Sequence, residues 1–364
     1  MARTRESPAI THAGLARLTL VANLNAVLND MGGSTLTPIA TDTTTSPELQ
    51  EQQYVHEVYD QIAPHFSQTR YKPWPIISKF LASLSPGSIG LDSGTGNGKY
   101  LPLDQDGTLL TVGLDRSLAL LRIAQTAGGG EDIRREVVRS DALVHCWRDA
   151  AFNYAISIAT IHHLSTPLRR RQAVQALLRA VRSNGGRILI YVWAVEQDPL
   201  SKRVIPETNH ASATSVETTG PGSSGSKAAL KEQDLLVPWL VNPPPAPAAT
   251  TQKPSRRQRK HAKEVTAVAV SAGPEDSMGL SSLQPGALET KVFQRYYHFF
   301  EADELHNLVC EAAAFMELQI GSPPHRDQDY SLSVGSTKTT KGVEIVNEGW
   351  ERSNLYIELR LWES

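Results

Sequence analysis

The chain has 364 residues, 40% of them hydrophobic, with a formal net charge of −2 and two cysteines, Cys146 and Cys310. So few cysteines exclude a disulfide scaffold and a cysteine-rich metal centre, and no apolar run approaches the length that spans a bilayer. The near-neutral balance exerts no overall pull on nucleic acid, so any such contact must come from local patches. These properties predict a soluble intracellular protein of one large domain or two small ones; the expected location is cytoplasmic and also nuclear, with mitochondrial import the weaker alternative.

Residues 1–53 read as a disordered leader. Arg3, Arg5 and Arg17 lie among hydroxyl residues with few acids, and 31–47 is mostly Gly, Ser, Thr and Pro, a composition that buries too little to fold. Regular structure is expected from Tyr54, where Val55, Val58, Tyr59 and Ile62 keep helical spacing up to Pro64. A second helix is expected over about 74–84, stopped by Ser85-Pro86-Gly87.

An apolar run over 88–92 then ends in Asp92 and opens into glycines at alternate positions, Gly94, Gly96 and Gly98. Glycine permits backbone angles and close approaches that a Cβ forbids, so this reads as a strand turning tightly against a ligand, with a helix from Gly98. A strand at 110–115 ends in Asp115, about 20 positions beyond the glycines, where a nucleotide ribose needs a hydroxyl acceptor. The spacing is G-x-G-x-G rather than the G-x-G-x-x-G of a pyrophosphate-binding loop. That pattern suits S-adenosyl-L-methionine, which has no pyrophosphate and carries positive sulfonium and amino groups that Asp92 would face.

A helix at 117–126, a short strand near 136–140, a buried strand at 153–160 and a helix over 167–182 come next. Thr166 caps that last helix, Pro167 opens it, and Gly185-Gly186 lie beyond its end. The next strand is 187–193. Strands alternating with helices argue a doubly wound α/β sheet, in whose crevice Asp141-Ala142 and the Ile161-His162-His163 turn face the ligand. Two adjacent histidines cannot both point at one spot, so one is expected to be functional. A two-histidine metal site is disfavoured, because no third ligand lies at a recognisable spacing.

Residues 201–290 interrupt the pattern with Gly/Ser/Thr-rich and Pro/Ala-rich stretches around an apolar 235–240 that is expected to dock on the domain. The run 253–263 carries six Lys/Arg, either a solvated linker or a nucleic-acid contact. Structure is expected to resume near Val292, with a helix over 302–315 and strands at 316–320 and 354–362. The domains are then a leader (1–53), a core (54–200), an insertion (201–290) and a C-terminal part of the core (291–364).

Several blocks resemble one family. The first is Tyr54-Val-His-Glu-Val-Tyr-Asp-Gln-Ile-Ala-Pro-His-Phe-Ser-Gln-Thr-Arg-Tyr-Lys-Pro-Trp74. The others are Gly90-Leu-Asp-Ser-Gly-Thr-Gly-Asn-Gly-Lys-Tyr100, Val112-Gly-Leu-Asp-Arg-Ser117, Ser157-Ile-Ala-Thr-Ile-His-His-Leu-Ser-Thr-Pro167, Leu189-Ile-Tyr-Val-Trp-Ala-Val-Glu-Gln197, Asp234-Leu-Leu-Val-Pro-Trp239 and Gln294-Arg-Tyr-Tyr-His-Phe-Phe300. Together they are similar to the eukaryotic transfer-RNA methyltransferases that esterify the carboxymethyl group of wobble uridine. The resemblance covers most of 54–200 and pieces of 234–362. It implies a Rossmann-like class I methyltransferase with a mostly parallel seven-stranded sheet, helices on both faces and a terminal antiparallel strand. It also implies S-adenosylmethionine as cofactor, a tRNA anticodon stem-loop as substrate, and a small zinc-binding activator subunit as partner. One departure stands in the glycine loop, where Ser93 takes the place of an apolar residue, which predicts weaker cofactor binding or lower stability.

The cofactor residues are then Asp92, Gly94, Gly96, Gly98, Asp115, Arg116, Asp141, Ala142 and Ile161. A carboxylate acceptor is already ionised at neutral pH and needs no general base, so positioning and charge pairing matter more than proton transfer. Planar guanidinium suits a carboxylate, which selects Arg70 and Arg295, with His162 and Tyr71 lining the acceptor pocket. Lys72, the Arg169-Arg170-Arg171 run and the basic run are candidates for RNA phosphates. A small-molecule carboxyl methyltransferase and a non-catalytic scaffold of the same fold are the competing readings.

Overall fold

The computed structural model describes residues 36–39, 45–70, 72–102, 108–129, 135–201, 203–206, 232–242, 290–324 and 339–364. The chain divides into two compact units, Met1–Trp239 with Phe293–Ser364, and Leu240–Val292. Among the described residues, the first unit holds the main sheet and every helix.

A two-residue strand β1 (Thr37–Pro38) precedes helix α1 (Pro47–Glu51), a π-helical turn (Gln52–His56) and α2 (Glu57–Thr69). Helix α3 is Pro75–Ala82, and β2 (Ile89–Ser93), β3 (Leu110–Asp115), α4 (Leu118–Ala124), β4 (Val137–Arg139) and β5 (Tyr154–Ile158) come after it. Beyond a 3₁₀ turn (Ile161–His163) lie α5 (Pro167–Ala180), β6 (Arg187–Trp193), β7 (Asp234–Val241), β8 (Lys291–His298), α6 (Glu304–Phe315), β9 (Gln319–Ile320), β10 (Lys341–Glu351) and β11 (Asn354–Glu363).

The main sheet has eight strands in the order β4-β3-β2-β5-β6-β11-β10-β9. Strands β4 to β6 are mutually parallel, and β11 runs antiparallel to both β6 and β10. Alternation along the strands explains why both faces are covered. Ile188, Ile190 and Val192 of β6 join the core under α5 and α6, whereas Leu189 and Tyr191 pack with α3 residues Ile77, Phe80 and Leu81. Each such side chain stabilises the fold by about 1.5–3 kcal/mol. A smaller sheet, β1-β7-β8, packs Leu235, Val237, Tyr297 and Phe299 against Trp193 and Val195 at the end of β6. The second sheet therefore stands at the carboxyl edge of the first.

Three expectations change and one gains detail. Helical structure begins at Pro47, before Tyr54, because the Ser46 hydroxyl accepts the Leu49 amide and Pro47 occupies the first turn. No helix starts at Gly98; the chain turns there, since Gly94, Gly96 and Gly98 have φ of 84°, 57° and 74°, values foreign to a right-handed helix. The apolar segment beginning at Leu235 docks as expected, in the form of strand β7, with Leu235 and Val237 packed beside Trp193. Finally, β10 is an additional long strand, and β9 makes an eighth where seven are expected. The basic run 253–263 lies outside the described residues.

Candidate cofactor and acceptor site

A cavity of about 610 Å³ opens at the carboxyl ends of β2, β3 and β5, where open α/β sheets bind ligands. The glycine loop forms its floor. Gly94 has φ 84° and a Cβ there would overlap the Thr160 side chain, so only glycine fits. Its amide and that of Thr95 both donate to the Leu114 carbonyl, at 2.7 and 2.9 Å. Gly113 leaves room for the Thr95 side chain. At Gly96, among the described residues, only Phe66 lies within 4 Å of an added Cβ, so the backbone stands open to a ligand.

Asp115 lines the cavity and accepts the Gly96 amide at 2.8 Å and the Ser117 amide at 2.9 Å. Burial pushes its carboxyl above the ordinary range, against the pull of these amides. Asp141 lines the same wall, pairs with Arg116 at 2.7 Å and accepts the Leu143 amide at 3.0 Å. An exposed glycine backbone, an acid after β3 and a second acid after β4 fit an adenosine-bearing cofactor without phosphates.

The N-terminal helices form the opposite wall. The π turn brings Val55 and His56 to the cavity, and Tyr59 follows on α2. This wall is latched by Glu51, which is 1% exposed. Its carboxylate takes Nε and Nη2 of Arg169, each at 2.7 Å, together with the Ser165 amide at 2.8 Å. The bidentate pair ties α1 to the loop that follows the histidines.

Cations and aromatic rings build the remaining half. Arg70 and Arg295 both line the cavity, with their guanidinium carbons 5.2 and 4.5 Å from the Trp239 ring centre. Tyr297 stacks on Trp193 with centroids 4.2 Å apart, and Arg203 lies 3.9 Å over Trp193. His163 lines this half too. Its Nδ1 lies 2.8 Å from the Tyr296 carbonyl and its Nε2 lies 3.0 Å from the Tyr59 hydroxyl. Burial lowers the His163 pKa to about 3, so the ring is neutral. A carbonyl can only accept, hence Nδ1 carries the proton and Nε2 accepts from Tyr59. Tyr59 oxygen in turn lies 3.2 Å from the Tyr297 hydroxyl and accepts from Arg295 Nη1 at 3.5 Å.

The structure thus brings Arg70, Arg295, Gly94, Gly96, Asp115, Arg116, Asp141 and Ala142 onto one cavity. It does not bring His162 there. That ring is fully buried, accepts the Trp193 amide on Nδ1 at 3.1 Å, and packs against Tyr297 and Trp193. The 3₁₀ turn rotates His163 to the cavity instead. Asp92, Gly98 and Ile161 lie behind the loop: Asp92 accepts from Thr95 Oγ1 at 2.7 Å, Gly98 abuts Ala124, and Ile161 joins the core. Tyr71 lies outside the described residues. Nor does the arginine run face solvent as an RNA patch, for Arg169 holds Glu51, Arg170 is buried on the Leu164 carbonyl, and Arg171 lies over Phe315. Tyr59, His163, Trp239 and Tyr297 stand inside the family-like blocks without a role assigned from sequence; Glu51, Arg203 and Arg352 carry no sequence signal at all.

The fold and the loop define a Rossmann-like methyltransferase, and residues 91–190 match the family model described as "Methyltransferase domain". A tRNA (carboxymethyluridine(34)-5-O)-methyltransferase of Schizosaccharomyces pombe is 38% identical over 259 residues, 71% of this chain and 87% of that protein. The protein of that name from Saccharomyces cerevisiae is 39% identical, over 56% of this chain and 66% of its own length. An S-adenosylmethionine-dependent methyltransferase of Clostridium acetobutylicum aligns with a TM-score of 0.46 at 8% identity, over 84% of this chain and 99% of its own. The chain belongs to the tRNA (carboxymethyluridine(34)-5-O)-methyltransferase family. Among the described residues no helix is long and apolar enough to cross a membrane.

Proposed function

We propose that this protein methylates the carboxylate of 5-carboxymethyluridine at the wobble position of tRNA, giving the methyl ester. The observation that carries the reading is one cavity joining a phosphate-free nucleoside site (Gly94, Gly96, Asp115, Asp141) to a paired-arginine wall (Arg70, Arg295). S-adenosylmethionine, when bound, supplies the methyl group. Asp115 would hold its ribose hydroxyls, Asp141 its adenine edge, and the Gly94–Gly96 backbone its amino-acid end. Asp92 acts from behind the loop by holding Thr95.

Arg70 and Arg295 receive the acceptor carboxylate. Arg295 is 3% exposed, so an anion bound there meets a cation with little water to screen it. Trp239 lies against both guanidinium groups, which limits their freedom and so favours one placement of the carboxylate for in-line attack. The acceptor is ionised at neutral pH and no base is required. A neutral, buried His163 agrees with that chemistry: it orients Tyr59, which steadies Arg295, rather than taking a proton. Because the carboxylate loses charge as the ester forms, a tighter clamp would stabilise the ground state more than the transition state.

The substrate is tRNA, and the family likeness supports a small zinc-binding activator as partner. The deciding experiment is transfer of label from S-adenosylmethionine to wobble-carboxymethylated tRNA, with and without the co-expressed activator. Base-labile radioactivity on the RNA is expected. Cofactor binding without transfer would assign a different acceptor, and absence of both would leave a fold without the chemistry.

A further inference from the structure

We infer that Arg352, at the tip of the β10–β11 hairpin, is a positioning residue that binds a phosphate beside the wobble nucleotide; the inference rests on the reading of function above. A cavity of about 610 Å³ has room for a cofactor and one nucleoside, not for a stacked stem. The acceptor base must therefore leave its stack to enter, and the phosphates on either side of it stay at the mouth.

The hairpin supplies a cation there. Glu351 pairs with Asn354, so the loop is Arg352-Ser353 alone, and both residues have positive φ, 48° and 65°. Two-residue loops of this geometry ordinarily carry Asn-Gly, because side chains with a Cβ are strained in it. Strain of this kind persists only where the surroundings over-determine it, and it gathers at functional sites. Here the surroundings do so. Ser353 is 3% exposed, its Oγ accepts the Asp198 amide at 2.7 Å, and its carbonyl accepts the Ala194 amide at 3.0 Å. Trp350 Nε1 donates to the Glu196 carbonyl at 3.1 Å, and Asn354 Nδ2 donates to the Arg352 carbonyl at 2.6 Å.

The tip is thereby clamped to the segment leaving β6, and Arg352, Ser353 and Asn354 line the cavity although β10 and β11 share nothing with the cofactor motif. Arg352 itself is exposed, as a phosphate ligand must be. Arg203, stacked on Trp193, lines the same cavity. Asp198, which would repel a phosphate there, turns Oδ1 to the Leu200 amide at 2.8 Å.

The test is Arg352→Gly, which removes the charge and also relieves the positive φ, with Arg352→Lys as the variant that keeps the charge. R352G should raise KM for tRNA about tenfold with kcat nearly unchanged. It should lower the slope of log affinity against log salt by about 1, keep cofactor affinity, and keep or raise the melting temperature. R352K should retain most of the salt slope. An unchanged KM and slope in R352G would overturn the inference, as would equal losses of cofactor and tRNA binding. If wild-type protein binds tRNA but transfers no methyl group, the reading of function fails, while the salt slopes still decide on Arg352.

Discussion

Asp92→Asn isolates a buried carboxyl whose ionisation the fold resists. Asp92 is fully buried, Oδ2 accepts from Thr95, and Oδ1 has no hydrogen-bond partner among the described residues. Burial, with a lesser push from Asp115, raises its pKa from 3.8 to about 7. The folded state therefore holds a proton between about pH 4 and 7 that the unfolded chain has released. For an acid shifted upward, the stabilising contribution is greatest below the unfolded value and falls as pH rises through the folded one. Integrating one site with these values removes about 2 kcal/mol between pH 5 and pH 7. Asparagine cannot ionise, so the stability of D92N minus that of wild type should climb by that amount over the interval. His162 and His163, whose pKa values burial drives down, tilt both curves the opposite way and cancel in the difference. The assay is urea unfolding of apo protein at half-unit pH steps. Parallel curves for the two proteins would refute the argument. At pH 8, where wild type carries the anion, D92N should also lose more affinity for S-adenosylmethionine than for S-adenosylhomocysteine, whose sulfur is uncharged.

Gly94→Ala should cost about 2–4 kcal/mol, from a disfavoured backbone angle and a clash with Thr160, and should abolish cofactor binding in calorimetry. Arg70→Ala and Arg295→Ala should each lower kcat/KM for tRNA by about 10- to 100-fold, the equivalent of one charge-assisted hydrogen bond at about 1.5–3 kcal/mol. Cofactor affinity should stay within about twofold, and R295K should recover little, because a point charge cannot reproduce the fork. Glu51→Ala removes the bidentate partner of Arg169 but leaves it Glu48, 2.6 Å from Nη1, and should cost about 1.5–3 kcal/mol. Hydrogen exchange should then accelerate over residues 47–56, and cofactor affinity should fall because that wall carries Val55, His56 and Tyr59.

What was legible in the sequence is what depends on local backbone. The alternation of β2, β3, β5 and β6 with helices shows as apolar runs punctuated by glycine, proline and capping hydroxyls. Asp115 and Asp141 are legible because a residue leaving a parallel strand has only one place to go. Asp92, one step earlier, obeys the same rule in sequence yet faces the opposite side of the loop, since Gly94 turns at φ 84° before the backbone reaches the cavity. The histidine pair fails for a related reason. Ile161–His163 is a 3₁₀ turn, so strand alternation does not govern it, and rings from β6 and β8 decide which of the two buried histidines reaches the cavity.

The proposed acceptor half of the cavity is assembled from elements that sequence places far apart, and this is why it stayed largely hidden. Arg169 reads as a surface charge until Glu51 is set beside it, 118 positions upstream in a stretch whose composition suggests no structure. Strand β10 exposes Val346 and Trp350 and ends at Arg352-Ser353 rather than at a glycine turn, so neither its apolar pattern nor its punctuation announces a hairpin. The two halves obey different physics. A nucleoside site needs particular backbone angles, which restrict the residues that can occupy it and so leave a mark in the sequence. A carboxylate clamp needs only guanidinium groups and flat rings at the right distance, and arginine and tryptophan occur for many other reasons. Family-like blocks around Arg70, Trp239 and Arg295 marked the residues; only the fold shows that they share one wall.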